Sequence, residues 1–231
     1  MTKIEHFIFN AFQTRCSVVW EESGKCVFVD PGCSTEQEIA EIVSFVQAKG
    51  LTPAGIMLTH CHFDHIYGMS ALTRQYGIPV YAHKEEMFTL EKTNPYACQA
   101  FGLPLPDTFP ISAEGSTKEG RYIPVKEGDV VKIGSLSFEV IETPGHTVGG
   151  VCYLERTGKV LFCGDTLFAG AIGRTDHPGG DYEMIMKSIF EKLLHLDGET
   201  TVIPGHGPLT DISTERMTNP FLMPFNEPYE E

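Results

Sequence analysis

His60-Cys61-His62-Phe63-Asp64-His65 places three imidazoles and a carboxylate on six consecutive residues. The run before it, Gly55-Ile56-Met57-Leu58-Thr59, reads as a buried strand, and the run after it, Ile66-Tyr67-Gly68-Met69-Ser70-Ala71-Leu72, as the start of a helix. The histidines therefore fall on a strand-to-helix loop, where a rigid scaffold aims side chains together. Two residues apart on extended backbone, His60 and His62 face the same way. Asp64 and His65 follow where the chain turns and can face a second point nearby. Imidazole and carboxylate together are the donor set for zinc and its first-row neighbours.

Outward from this motif the chain reads as strands followed by a helix, twice over. Ile4–Phe9, Cys16–Trp20 and Cys26–Asp30 are candidate strands. Ser34 is expected to open a helix, with Gln37 as its capping-box partner and Ile39, Ile42, Val43 and Val46 on the apolar face. After the motif come a helix to Tyr76 and a strand at Pro79–Ala82. Two hairpins follow, Val130–Ile133 with Leu136–Ile141 and Val151–Leu154 with Val160–Cys163. A helix capped by Asp181 carries Met184, Ile185, Ile189, Leu193 and Leu196; a strand at Thr201–Ile203 and a short helix near Ser213 close the chain. Such a layout implies two sheets packed face to face with helices outside, an α/β (α+β) fold in the form of a four-layer αββα sandwich.

Three further metal-type residues fall just after strands of the second half: His146 in Thr143-Pro144-Gly145-His146, Asp165 in Cys163-Gly164-Asp165, and His206 in Pro204-Gly205-His206-Gly207. Each has a neighbouring glycine, which permits a tight turn and close approach of the backbone. Four loops from strand ends, all carrying His or Asp, imply one shared site. His6, His83 and His195 lack that setting and are read as core, rim or helix-end residues, and His177 as lying away from the site. Residues 84–122 are punctuated by Pro95, Pro104, Pro106, Pro110, Gly115 and Gly120 and are expected to form an irregular lid that holds no ligand. Residues 213–231 read as a short C-terminal tail, and the whole chain, 1–231, as one domain.

Composition limits the function. The 231 residues are 42% hydrophobic, enough for a large core, and the net charge of −14 argues against a nucleic-acid groove. Seven scattered cysteines form no C-x-x-C pair, which fits a reducing compartment. Cys61 is read as a spacer within the motif. No apolar run is long enough to span a bilayer or serve as a secretory signal, so the expected location is the cytoplasm, with no membrane partner.

T-H-C-H-F-D-H at 59–65, T-P-G-H-T-V-G-G at 143–150, G-D-T-L-F at 164–168, I-G-R-T-D at 172–176 and P-G-H-G at 204–207 together resemble the metallo-β-lactamase fold hydrolases over nearly the whole chain. The best match is the glyoxalase II-like (hydroxyacylglutathione hydrolase-like) branch, in its short bacterial form. The resemblance implies one metal held by His60, His62 and His146, a second held by Asp64, His65 and His206, and Asp165 bridging both. It implies two divalent ions, zinc first and iron or manganese as alternatives, with Asp64 and Asp165 serving the chemistry as well as the metals. A metal-bound hydroxide would attack a small-molecule thioester such as S-lactoylglutathione, whose thiolate leaves without strong protonation. Arg174 is either a surface ion-pair residue or a contact for a substrate carboxylate. The alternative is a mononuclear iron oxygenase resembling the persulfide dioxygenases, using the equivalents of His60, His146 and Asp165. Only a short tail follows His206, where glyoxalase II proper carries a glutathione-binding helical domain. Asp165 stands where many β-lactamases place a metal-binding cysteine, which argues against antibiotic hydrolysis.

Overall fold

The computed structural model describes residues 2–111 and 121–223. Its first sheet takes six strands in sequence order: β1 (Lys3–Phe9), β2 (Thr14–Trp20), β3 (Lys25–Val29), β4 (Thr52–Met57), β5 (Val80–His83) and β6 (Tyr122–Val125). β1 to β3 pair antiparallel, whereas β3 to β6 pair parallel. Parallel neighbours need a crossover, and α1 (Glu36–Ala48) carries the chain from β3 to β4. The short α2 (Phe63–Ile66) and then α3 (Met69–Tyr76) carry it from β4 to β5.

The second half holds β7 (Val130–Ile133), β8 (Leu136–Glu142), β9 (Val151–Glu155) and β10 (Val160–Gly164), then the ribbon β11 (Leu167–Phe168) and β12 (Ala171–Ile172). Beyond these lie β13 (Thr201–Pro204) and β14 (Thr210–Asp211), and the second sheet runs β14-β13-β10-β9-β8-β7. α4 (Asn94–Phe101) precedes this half, α5 (Tyr182–Glu191) leads into β13, and α6 (Ile212–Thr218) follows β14.

Period-two alternation builds the layers. In β3, Cys26 and Phe28 pack against α1 and α3, while Val27 and Val29 turn to the other face and meet Phe138, Val140, Tyr153 and Phe162 of the second sheet. In β10, Leu161 and Cys163 face Ile185 and Ile189 of α5. The order is therefore helix, sheet, sheet, helix, as the sequence implies. Ile185 and Ile189 are fully buried, and truncating Ile189 to Ala would cost roughly 2–5 kcal/mol.

Some boundaries differ from the sequence reading. The capping box of α1 is Thr35 with Glu38, one residue later than expected, because Glu38 accepts from the backbone of Asn10, Ser34 and Thr35 at once and so fixes the start. The final helix likewise starts one residue early, at Ile212, capped by Asp211. The expected irregular stretch is largely helical at first: a 3-10 turn at Lys84–Glu86, a π-helical turn at Thr89–Thr93, then α4. Pro95 does not break α4 because it occupies the first turn, where its missing N–H is no loss. Residues 112–120 of the expected lid and 224–231 of the expected tail lie outside the described residues.

Candidate metal centre

The strand ends deliver the donors. The chain leaves β4 into His60 and His62, α2 carries Asp64 and His65, and His146, Asp165 and His206 follow β8, β10 and β13. Glycines allow this crowding: a Cβ at Gly205 would collide with Asp165 Oδ1 and the His65 ring, and one at Gly164 with the Thr59 hydroxyl. Gly164 also has φ +49°, a conformation costly to residues with a side chain.

Three donor groups result among the described residues, two that share no residue and a third, Asp30, His60 and His65, that overlaps both. His60, His62 and His146 bring three ring nitrogens within 4.8 Å of one another, and so do Asp64, His65 and His206 with their donor atoms. Asp165 faces both groups. Its Oδ1 lies 3.5 Å from His65 Nε2, and its Oδ2 lies 3.6 Å from His146 Nε2 and 3.4 Å from His206 Nε2. All seven side chains predicted from the sequence thus meet in one place.

Surrounding acceptors fix which nitrogen is free. His65 Nδ1 donates to Asp30 Oδ2 at 3.1 Å, His146 Nδ1 to the Arg174 carbonyl at 2.8 Å, and His206 Nδ1 to the Phe12 carbonyl at 3.0 Å. The Thr59 hydroxyl donates to Asp30 at 2.6 Å, so its oxygen accepts from His60 Nδ1 at 3.1 Å. In all four rings Nε2 is left to point inward, an orientation typical of metal-binding imidazoles. His60 Nε2 and Asp165 Oδ1 are buried without a hydrogen-bond partner among the described residues. His62 Nδ1 sits only 2.9 Å from His146 Nε2. Unpartnered buried polar atoms cost about 1–3 kcal/mol each, and a cation among these donors would remove that cost, so the donor set fits one.

The two groups differ electrostatically. Burial, together with the neighbouring rings, holds His60 and His62 well below the usual imidazole range, and burial lowers His146 as well. Burial would also lower His65, but Asp64, Asp165 and Asp30 outweigh it and push the ring up to about 9. His206 rises in the same way through Asp165 and Asp64, despite its burial. Asp64, against the effect of its own burial, is drawn down to about 2 by His65, His206 and the Thr14 hydroxyl.

A cleft of about 470 Å³ opens onto these donors. One wall is apolar: Phe12 packs edge-on against Phe63 and Phe101, with centroids 5.1 and 5.6 Å away, and Tyr96, Ala97 and Ala100 extend it. Arg174, Asp176 and His177 also line the cleft. Arg174 fits both sequence readings, since it lines the cleft while pairing with Asp176 at 2.7 Å. The expectation that His177 lies away from the site is corrected. Its ring stands 5.0 Å from that of His62 and 5.1 Å from that of His146, because Gly180 N closes a turn on His177 O and Asp181 N ties that turn to Gly145 O.

Asp30, Thr14, Glu86 and Asn94 were not singled out in the sequence. Asp30 alone had a readable signal, an Asp-Pro-Gly at the end of a strand whose parallel neighbour leads into the motif. The other histidines lie apart from the donors: His6 bonds Ser17, and His83 bonds Glu142.

The profile of the Metallo-beta-lactamase superfamily matches residues 9–206, and the chain belongs to that family. Hydroxyacylglutathione hydrolase GloC of Haemophilus influenzae is 36% identical, over 95% of this chain and 97% of its own length. Among solved structures, BLEG-1, described as a B3 metallo-beta-lactamase, shares 34% identity with a TM-score of 0.84, covering 96% of this chain and all of that one. TTHA1623, solved in a di-iron-bound form, shares 35% identity with a TM-score of 0.79, covering 94% of this chain and all of that one. ETHE1 from Myxococcus xanthus shares 26% identity with a TM-score of 0.72, covering 94% of this chain and 83% of that one. The protein is a metallo-hydrolase of this superfamily, and no described helix is long and apolar enough to cross a membrane.

Proposed function

We propose that this protein is a dinuclear hydrolase of hydroxyacyl thioesters. The observation that carries the reading is Asp165, whose carboxylate lines the cleft and faces both donor groups, with Oδ2 near His146 of one and His206 of the other and Oδ1 near His65. His60, His62 and His146 would hold one divalent ion, Asp64, His65 and His206 the second, and Asp165 both. Zinc is the first choice; the di-iron form of a protein 35% identical makes iron the ion to test beside it. When bound, such ions lower the pKa of water from about 16 towards 7 and stabilise negative charge developing on a carbonyl oxygen.

The chain's own residues do the rest. Asp30, Arg174 O and Phe12 O hold the rings in their working tautomers. The Thr14 hydroxyl, 2.7 Å from Asp64 Oδ2, aims that carboxylate. Phe12, Phe63 and Phe101 exclude water from one side and take apolar parts of the substrate, and Arg174 offers a cation on the same cleft. A thiolate departs without a proton, so the leaving group asks for no acid from the chain. GloC, a hydroxyacylglutathione hydrolase by name, supports the substrate class. Seven buried cysteines, none in a disulfide, support a reducing compartment such as the cytoplasm. Helical residues 84–101, with Tyr96, Ala97, Ala100 and Phe101 on the cleft, act as its lid.

The test is metal analysis of the purified protein with parallel assays of S-D-lactoylglutathione hydrolysis, oxygen uptake with glutathione persulfide, and hydrolysis of a chromogenic cephalosporin. Two ions and thioester cleavage are expected. One iron with oxygen consumption would establish the oxygenase reading suggested by the likeness to ETHE1. The cephalosporin belongs in the set because the likeness to BLEG-1 weakens the case against β-lactams drawn from Asp165.

A further inference from the structure

The helical segment from Lys84 to Phe101 presents one side to the cleft and sends two buried polar side chains the other way, beneath the metal-ligand loops. Glu86 is 1% exposed, and its carboxylate accepts from Cys61 N at 2.6 Å and Gly149 N at 3.0 Å. Asn94 is also 1% exposed; its Oδ1 accepts from Phe63 N at 3.0 Å and its Nδ2 donates to Cys61 O at 2.8 Å.

These bonds fall on particular peptide units. Cys61 N belongs to the peptide that follows His60. Cys61 O belongs to the peptide that precedes His62, and Phe63 N to the one that follows it. Three consecutive peptides, with His60 and His62 among them, are thus held by two side chains from one segment. Gly149 lies three residues past His146, so the second oxygen of Glu86 also ties down the loop carrying the third imidazole. A Cβ at Gly149 would lie 2.8 Å from Glu86 N, which shows how closely the loop and the segment meet. The Asp64 group is supported from elsewhere: Asn10 Nδ2 donates to Asp64 O at 2.9 Å, and Asp30 orients His65.

We propose that Glu86 and Asn94 are positioning residues for the His60–His62–His146 donor group, and that they set its metal affinity without touching the metal. The inference rests on the reading of that group as a metal site. Its chemistry is that of a fixed anion and a fixed amide. A carboxylate serves two N–H donors at once, whereas Gln at 86 would present an NH₂ to one of them. Ala at 94 would leave Cys61 O and Phe63 N without partners, and the loop would relax to find others.

The test uses the full chain, loaded stepwise with Co²⁺ and with Zn²⁺ in chelator competition, for wild type, Glu86→Gln, Asn94→Ala and the exposed control Lys92→Ala. Glu86→Gln and Asn94→Ala are both expected to weaken one metal equivalent by about 10–100-fold and to shift its Co²⁺ absorption bands, while the other equivalent changes by no more than a few fold. Lys92→Ala should match wild type. Thermal denaturation of the metal-stripped variants separates folding from positioning. A lowered Tm with wild-type affinity and Co²⁺ bands at both equivalents would overturn the proposal, as would equal weakening of both. If Glu86→Gln does not fold, Asn94→Ala decides alone. Failure of the wild-type chain to bind either ion would instead overturn the metal reading on which the inference rests.

Discussion

The two donor groups lie a few ångströms apart and share Asp165, yet they handle protons in opposite ways. The three imidazoles of His60, His62 and His146 are buried among one another, and burial keeps them neutral. The group of Asp64, His65 and His206 has carboxylates on several sides, which hold protons on the imidazoles: His65 is pushed up to about 9 and His206 also rises. The facing Nε2 atoms of His65 and His206, 3.3 Å apart, have room for one shared proton. One half is thus pre-set as bare nitrogen ligands. The other stores a proton that an incoming cation must displace. The difference arises from burial and neighbouring rings in one group and from surrounding carboxylates in the other.

The largest effect is expected where the halves join. Asp165→Asn keeps the shape but removes the charge, and a neutral amide is a poor bridge between two cations. The variant should fold, lose most of one metal equivalent and fall at least about a hundredfold in kcat, as metal analysis and steady-state kinetics would show. Two tightly held ions with near-normal turnover would mean that the halves are independent.

A smaller effect is expected at the cleft wall. Phe101→Ala removes an exposed ring that leans on Phe12 and Phe63 and touches no donor. KM for a thioester should rise about 3–10-fold, in line with the loss of about 1 kcal/mol of apolar contact, with metal content unchanged. A change in bound metal would show that the wall and the donors are one unit. The smallest effect belongs to Arg174→Ala. Its side chain is 64% exposed and already paired with Asp176, so KM should rise only a few fold, while the backbone carbonyl that holds His146 remains.

Much of this was legible in the sequence because it depends on local pattern. The apolar run Cys26–Val29 reports a buried strand, and the run His60–His65 carries four donors on a strand-to-helix loop. The glycine-flanked strand ends mark His146, Asp165 and His206, while the division of the seven into two groups came from the family resemblance. His177, Glu86 and Asn94 were missed for a different reason. Their roles come from contacts between residues 25 to 115 positions apart, such as Glu86 with Cys61 and His177 with His62, and no periodicity encodes such meetings. Residues 84–101 read as irregular because Pro95 and short turns hide a segment whose helical form is fixed by what it packs against.

Calorimetric titration of the metal-stripped protein with Zn²⁺, in two buffers of different ionisation enthalpy, tests the unlike halves most directly. The sign follows from the shifts: imidazoles depressed by burial carry no proton at pH 7, whereas the raised His65–His206 pair does. One equivalent should therefore bind without proton release and with affinity flat above about pH 6.5. The other should release at least one proton per ion at pH 7, its affinity rising with pH through about 9, where His65 loses its proton, and on towards about 11, where His206 does. A single equivalent, or two that release protons alike, would contradict the paired and unequal sites described here.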